Sequence, residues 1–202
     1  MKKAKHISLS SHIDKYIREL KKTIDKLPQQ KIEEAVGIIM AAYKRGRKIF
    51  VMGNGGSASN SSHLACDLGK GTLRRIYDEK EKRFRVISLT DNVAMLTAFA
   101  NDLSYDDIFI QQLRNLVEKG DVVIVLSGSG NSFNTVKAVA YAKRNGAKII
   151  GILGFKSGGK LARMVDCAII ADSLNYGQCE DIQLILDHII TSWIGKVKHQ
   201  YD

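Results

Sequence analysis

Two glycine- and serine-rich segments of the sequence could bind an anion, because each follows an apolar run. Gly53-Asn54-Gly55-Gly56-Ser57 follows Ile49–Met52, and Ser127-Gly128-Ser129-Gly130-Asn131-Ser132 follows Val122–Leu126. Glycines let the backbone approach a ligand closely, while serine hydroxyls and the free amides of a helix N-terminus donate hydrogen bonds to it. A single loop of this kind is often only a tight turn. Two of them, at the ends of neighbouring strands, predict an anion site.

The first loop has an alternative interpretation. Gly53 to Ala58 also fits the dinucleotide fingerprint G-x-G-x-x-G/A, which calls for an acidic residue about 20 positions further on. The next strand ends near Thr90, and the acid that follows it, Asp91, is more than 30 positions from Gly56. We therefore favour the anion site over a dinucleotide site.

A histidine and a carboxylate follow the first loop at helical spacing. His63 and Asp67 are four residues apart, so they share one face of a helix and could bind one divalent ion. Taken alone, His63 would be interpreted as an ordinary hydrogen-bonded helix residue.

The elements that position these residues are predicted by short apolar runs. Five of them alternate with helical stretches: Ile49–Met52, Phe84–Leu89, Val122–Leu126, Ile149–Leu153 and Cys167–Ile170. Val- and Ile-rich strands that alternate with helices indicate a parallel sheet covered on both faces. The fold class is therefore α/β.

Helices are predicted at both ends of the chain. Apolar stripes predict an N-terminal helical pair: Ile13, Ile17, Leu20, Ile24 and Leu27, capped by Ser10 or Ser11, and then Ile32, Val36, Ile39 and Tyr43. A closing helix over about 181–196 is expected to bury Ile182, Ile185, Ile189 and Trp193. We predict one domain over residues 1–202, with residues 1–46 serving oligomerisation and residues 47–202 forming the α/β core and closing helix.

Composition narrows the class of protein. The 202 residues include 31 Lys and Arg against 21 Asp and Glu, a net charge of +10, but the basic residues are scattered and lack a stacking motif. We interpret them as a solubilising surface and expect neither nucleic acid nor a membrane as a partner. The three cysteines, at no metal-binding spacing, are interpreted as the reduced thiols of a cytoplasmic protein.

The ordered set of motifs resembles the sugar isomerase (SIS) domain family, and within it the phosphoheptose isomerases. The motifs are Asn54-Gly55-Gly56-Ser57, His63, Asn101-Asp102 and Ser127 to Ser132, within a resemblance that runs from about Tyr16 to Ile194. It implies a flavodoxin-like five-stranded parallel sheet sandwiched by helices. It also implies a homotetramer whose active sites are shared between subunits.

The resemblance assigns roles to individual residues. Ser127, Ser129 and Ser132 match the residues that hold the sugar phosphate, and the other implied substrate-binding residues are Asn54, Gly55, Gly56, Ser57, Asn101, Asp102, Gly128 and Glu180. It implies zinc, or another divalent metal, once per active site, bound by His63, Asp67, Glu180 and His188. Asp67 and His188 are the implied catalytic pair for proton transfer.

The C-terminal metal ligands depend on the alignment. An ungapped match places His188 on the family's histidine and Glu180 on its glutamine ligand, whereas a match shifted by three and anchored on Gln183 would place Thr191 on the histidine. We prefer the match that keeps the histidine. The chain then departs from the family twice, with Asp67 for a glutamate and Glu180 for a glutamine, and each change keeps an oxygen ligand.

The function implied is an aldose–ketose isomerase that converts sedoheptulose 7-phosphate to D-glycero-D-manno-heptose 7-phosphate through an enediol, a step of heptose biosynthesis. Two alternatives stay open: a non-catalytic SIS-domain protein that binds phosphosugars or associates with a replication initiator, and an isomerase of another phosphosugar.

Overall fold

Each of the five predicted apolar runs forms a strand in the computed structural model, which describes residues 8–200. The strands are β1 (Lys48–Gly53), β2 (Arg85–Ser88), β3 (Val122–Ser127), β4 (Lys148–Leu153) and β5 (Cys167–Ile170). All pair in parallel, in the order β2-β1-β3-β4-β5. This is the flavodoxin-like order, and the predicted fold class is confirmed.

Seven α-helices within the described residues surround the sheet. They are α1 (Leu9–Ile24), α2 (Gln29–Lys44), α3 (Gly56–Cys66), α4 (Val93–Asp102), α5 (Ile108–Leu116), α6 (Phe133–Arg144) and α7 (Tyr176–Val197). None is long and apolar enough to cross a membrane. The predicted division at residue 46 stays a prediction, and its first seven residues lie outside the described part of the chain.

Alternate strand residues face two separate cores, as the period of a strand requires. On one face, Val51 and Ile124 pack with α2, α3 and α7. On the other face, Phe50 and Val123 pack with α5 and α6. Because β1 and β3 are neighbours with Gly53 opposite Leu126, the two loops that follow them lie side by side.

The predicted buried stripe of the closing helix is wrong in two of its four residues. Helix α7 buries Ile182, Leu186, Ile190 and Ile194, while Ile189 and Trp193 remain 46% and 45% exposed. The sequence presents apolar residues on two adjacent faces of this helix, and only one of them meets the sheet. The other leaves an apolar surface on the subunit.

Helix α1 is similarly divided along its length. Leu20, Ile24 and the following Leu27 pack against the core, but Ile13 and Ile17 are nearly half exposed. Its N-cap is Ser8, whose hydroxyl accepts a hydrogen bond from the Ser11 amide, in place of the predicted Ser10 or Ser11. An apolar stripe therefore continues beyond the part of α1 that the subunit itself covers.

A buried ion pair fastens the end of the chain to the segment that precedes β2. The Lys198 ammonium is 2.7 Å from a Glu81 carboxylate oxygen, and their side chains are only 1% and 10% exposed. Lys198 also donates to the Lys82 carbonyl oxygen, and Glu81 accepts from the Arg74 and Arg75 amides. The hydrogen bond from Lys198 is the main cause that lowers the pKa of Glu81 to about 2.

We expect Glu81→Gln to lower the free energy of unfolding by about 3 kcal/mol at neutral pH, because the substitution leaves the Lys198 ammonium buried without its partner. Since the folded-state pKa of Glu81 is below its ordinary value of 4.5, the stabilisation is present above that value and is lost as pH falls toward about 2. Urea unfolding of both proteins across this range tests it. A constant difference at every pH would contradict the prediction.

Candidate active site

The two glycine- and serine-rich loops line one small cavity at the carboxyl ends of β1 and β3. It has a volume of about 90 Å³ and is lined by Asn54, Ser57, Leu126, Ser127, Gly128, Ser129, Ser132, Tyr176 and Glu180. Seven of these nine are residues that the sequence predicted for substrate binding. Leu126 and Tyr176 are additions, and Tyr176 is held by an edge contact with Phe155.

The second loop is shaped to present donors to this cavity. Ser127 Oγ accepts the Gly130 amide at 3.0 Å, and Gly130 has a φ of +63°, which fixes the turn. A β-carbon at Gly130 would overlap the Gly158 carbonyl oxygen. Ser132 is the N-cap of α6, but its hydroxyl makes no capping hydrogen bond. That hydroxyl and the first amides of α6 can therefore donate to an anion.

A network of amide groups, missed by the sequence analysis, connects the two loops. Asn134, which is 1% exposed, and Asn54 donate to each other's side-chain oxygens at 2.9 Å, and the Tyr105 hydroxyl donates to Asn54 Oδ1 at 3.0 Å. Asn134 Oδ1 also accepts from the Thr135 amide. These contacts fix the orientation of the Asn54 side chain between the small cavity and a neighbouring one of about 210 Å³.

We expect Asn134→Ala to weaken binding of a sugar phosphate, because Asn54, which is predicted to contact the sugar, loses its reciprocal partner. Calorimetry with a sugar phosphate should show about a tenfold lower affinity, as expected when one hydrogen bond from Asn54 to the ligand is lost. Asn145→Ala, at the exposed end of the same helix, is the control and should leave the affinity unchanged. Equal affinities in the two variants would show that the network does not position the loop.

The predicted metal-binding residues His63, Asp67 and His188 lie together at the C-terminal end of α3. His63 Nε2 is 3.2 Å from His188 Nε2 and 3.5 Å from Asp67 Oδ2, and His188 Nε2 is 3.9 Å from the same oxygen. Ligands of a tetrahedral zinc ion are about 3.3 Å apart, given bonds near 2.0 Å. Asp67 begins a π-helical turn, Asp67–Gly71, a distortion common at functional sites.

A fourth group in this cluster, Asp187, was not predicted. It is 2% exposed, and neither of its carboxylate oxygens has a hydrogen-bond partner within residues 8–200. Burial, together with the nearby Asp67 carboxylate, raises the pKa of Asp187 to about 7. One ligand atom from each of His63, Asp67, Asp187 and His188 lies within 4.8 Å of the others. This donor set of two imidazoles and two carboxylates, one of them buried and unpaired, fits a divalent cation.

Three other predicted residues lie outside this group. The Glu180 carboxylate lies against Gly56 at the start of α3, where a β-carbon would overlap it, and it lines the small cavity. Asn101 donates to Asp102 at the end of α4, and both side chains are exposed. The roles predicted for these three residues, as for the rest of the site, stay predictions.

Comparison with known proteins gives one consistent result. The sequence profile of the SIS domain family matches residues 14–154. The chain is 34% identical to the phosphoheptose isomerase of a Nitratiruptor species over 92% of this chain and 97% of that one. It is 35% identical to the phosphoheptose isomerase of Helicobacter pylori over 88% of both. The structure of the phosphoheptose isomerase of Neisseria gonorrhoeae superposes with a TM-score of 0.82 at 26% identity, covering 94% and 97% of the chains.

Proposed function

Since the chain belongs to the phosphoheptose isomerases of the SIS domain family, we propose that it converts sedoheptulose 7-phosphate to D-glycero-D-manno-heptose 7-phosphate. The observation that carries the proposal is the position of two sites along α3. The first glycine- and serine-rich loop leads into Gly56, the first residue of α3, and the second loop lies beside it. His63 follows seven residues later, a rise of about 10 Å. An extended seven-carbon chain with a terminal phosphate spans such a separation, with its carbonyl end at the histidines.

The reaction moves a proton between C1 and C2 of the sugar through an enediol, so it needs a group to accept the proton and a group to return it. We assign these roles to Asp67 and His188, whose side chains converge and remain partly open to the substrate. A divalent metal, which we take to be zinc, would be held by His63, Asp67 and His188 and would polarise the reacting oxygens. The phosphate would be bound by Ser129, Ser132 and the first amides of α6.

Incubation of the purified protein with sedoheptulose 7-phosphate tests the proposal directly. Formation of the heptose phosphate, followed by chromatography, is the expected result. Binding without turnover, even with zinc added, would favour the alternative of a non-catalytic phosphosugar-binding protein. Turnover of a different phosphosugar, but not of this one, would leave an isomerase of other specificity.

We further propose that the protein is a homotetramer in the cytoplasm. The exposed apolar residues Ile13 and Ile17 on α1 and Ile189 and Trp193 on α7 support the assembly, because a monomer would leave them in water. The proximity of Trp193 to the metal group along α7 is consistent with active sites shared between subunits. Light scattering should give four times the subunit mass of 22.4 kDa. A monodisperse monomer would contradict the assembly.

A further inference from the structure

The identity of the fourth metal ligand can be derived from the way α7 packs against α3. Asn60 Nδ2 donates to the Glu180 carbonyl oxygen at 3.0 Å and to Gln183 Oε1 at 3.1 Å. These two bonds fix both the rotation and the level of α7 relative to α3. Asn60 shares its face of α3 with His63 and Asp67, three and seven residues further on.

The facing residues of α7 repeat the same spacing. Glu180, Gln183 and Asp187 are separated by three and four residues, so they form one stripe that is turned toward α3. Where Asn60 is level with Glu180 and Gln183, the pair His63 and Asp67 is level with Asp187, about 5 to 10 Å further along both helices. The Glu180 carboxylate instead lies against Gly56, at the start of α3 and away from His63 and Asp67.

We propose, on the basis of the isomerase function above, that Asp187 is the fourth ligand of the metal in this chain and that Glu180 instead faces the sugar. Asp187 meets the requirements of a ligand. Its ligand atom is within 4.8 Å of those of His63, Asp67 and His188.

The burial of an ionised Asp187 carboxylate is costly unless a cation is present. An ionised carboxylate removed from water needs a paired charge or hydrogen bonds, and Asp187 has no hydrogen-bond partner among the described residues. The absence of a hydrogen bond to either histidine ring also argues against a purely supporting role, in which Asp187 would orient a ligating imidazole. With Asp67 and Asp187, two carboxylates would neutralise the ion, leaving Glu180 free to contact substrate hydroxyls.

Asp187→Ala and Glu180→Ala form a matched pair of tests, because each removes a carboxylate completely, whereas a glutamine at position 180 would restore the family's own ligand. Zinc affinity is measured on the full-length, chelator-treated protein by competition with a chromophoric chelator. Loss of a ligand should weaken binding by more than about 100-fold in Asp187→Ala, beyond the effect of removing a supporting group. Glu180→Ala should remain within about threefold of the wild type, since it keeps all four proposed ligands.

Two further measurements complete the test. Zinc should raise the midpoint of thermal unfolding in the wild type and in Glu180→Ala but not in Asp187→Ala. The cobalt-substituted wild type and Glu180→Ala should share one visible absorption spectrum. Loss of zinc in Glu180→Ala would overturn the proposal whether or not Asp187→Ala folds, and so would zinc binding by Asp187→Ala at wild-type affinity.

The outcomes separate this proposal from the proposed function. A wild type that binds no zinc overturns the ligand assignment, even if it isomerises sedoheptulose 7-phosphate. Zinc binding that depends on Asp187, without turnover of that sugar, supports the assignment and contradicts the isomerase function.

Discussion

Sugar-phosphate affinity should fall by at least about 100-fold when Ser129 is replaced by Asp, since a carboxylate would then occupy the cavity that we propose as the phosphate site. Two unit charges about 4 Å apart repel by about 4 kcal/mol at the effective dielectric of a protein surface, which corresponds to about a thousandfold in affinity. We expect a smaller loss of affinity than this thousandfold, because the cavity is open to water and salt screens the charges.

Two control variants separate charge from shape in this experiment. Ser129→Ala removes the hydroxyl without adding charge and should weaken binding by only about tenfold. Ser11→Asp adds the same charge in the first turn of α1, where a carboxylate is tolerated, and should leave binding unchanged. Calorimetry with sedoheptulose 7-phosphate measures all three. Wild-type affinity in Ser129→Asp would mean that the second loop is only a turn.

The sheet was predictable from sequence because each strand is a short run of apolar residues bounded by polar ones. The strand runs from Val122 to Leu126 and from Ile149 to Leu153 have almost no water-exposed residue, and only a doubly covered parallel sheet buries such runs completely. Their order does not follow from apolar periodicity, which carries no information about which strands are neighbours; that the two loops follow neighbouring strands was an assumption that the sheet order confirms. The adjacency of the two glycine- and serine-rich loops depends on that order.

The helix faces were less predictable. In α7, apolar residues recur at Ile182, Ile185, Leu186, Ile189, Ile190, Trp193 and Ile194, which covers more than one face of a helix. Several stripes of equal hydrophobicity fit this pattern, and only the packing against the rest of the core selects one. The same ambiguity left Asp187 unassigned, because its burial depends on the rotation of α7.

Residues of the site that are close in sequence were easier to predict than residues that are distant in sequence. His63 and Asp67 could be paired from sequence because four residues of one helix fix their distance. The placement of Glu180 against Gly56 depends on a contact between α7 and α3, about 120 residues apart in the chain, and on Asn60, which has no recognisable motif. Neither Asn60 nor Glu180 belongs to a sequence pattern that predicts this contact between the two helices.

Isomerase turnover should fall by about a thousandfold in His188→Gln, while binding of the sugar phosphate persists. Positioned acid–base groups contribute about 10²- to 10⁴-fold to proton transfer, and glutamine cannot take up or release the proton. The loop of Ser129 and Ser132 lies near the other end of α3, so the proposed phosphate contacts do not involve His188. The change should therefore appear in kcat and leave the calorimetric affinity within about threefold of wild type.

His12→Gln is the matched control, since His12 lies on α1 with an exposed side chain and is not part of the metal group. It should retain full turnover. Because His188 is also a proposed metal ligand, the assay is repeated over a range of zinc concentrations that saturates the variant. Activity restored by excess zinc would show that His188 serves only to hold the ion, and activity lost at every concentration would assign the proton transfer to the imidazole itself. Wild-type kcat without added zinc would remove His188 from the mechanism.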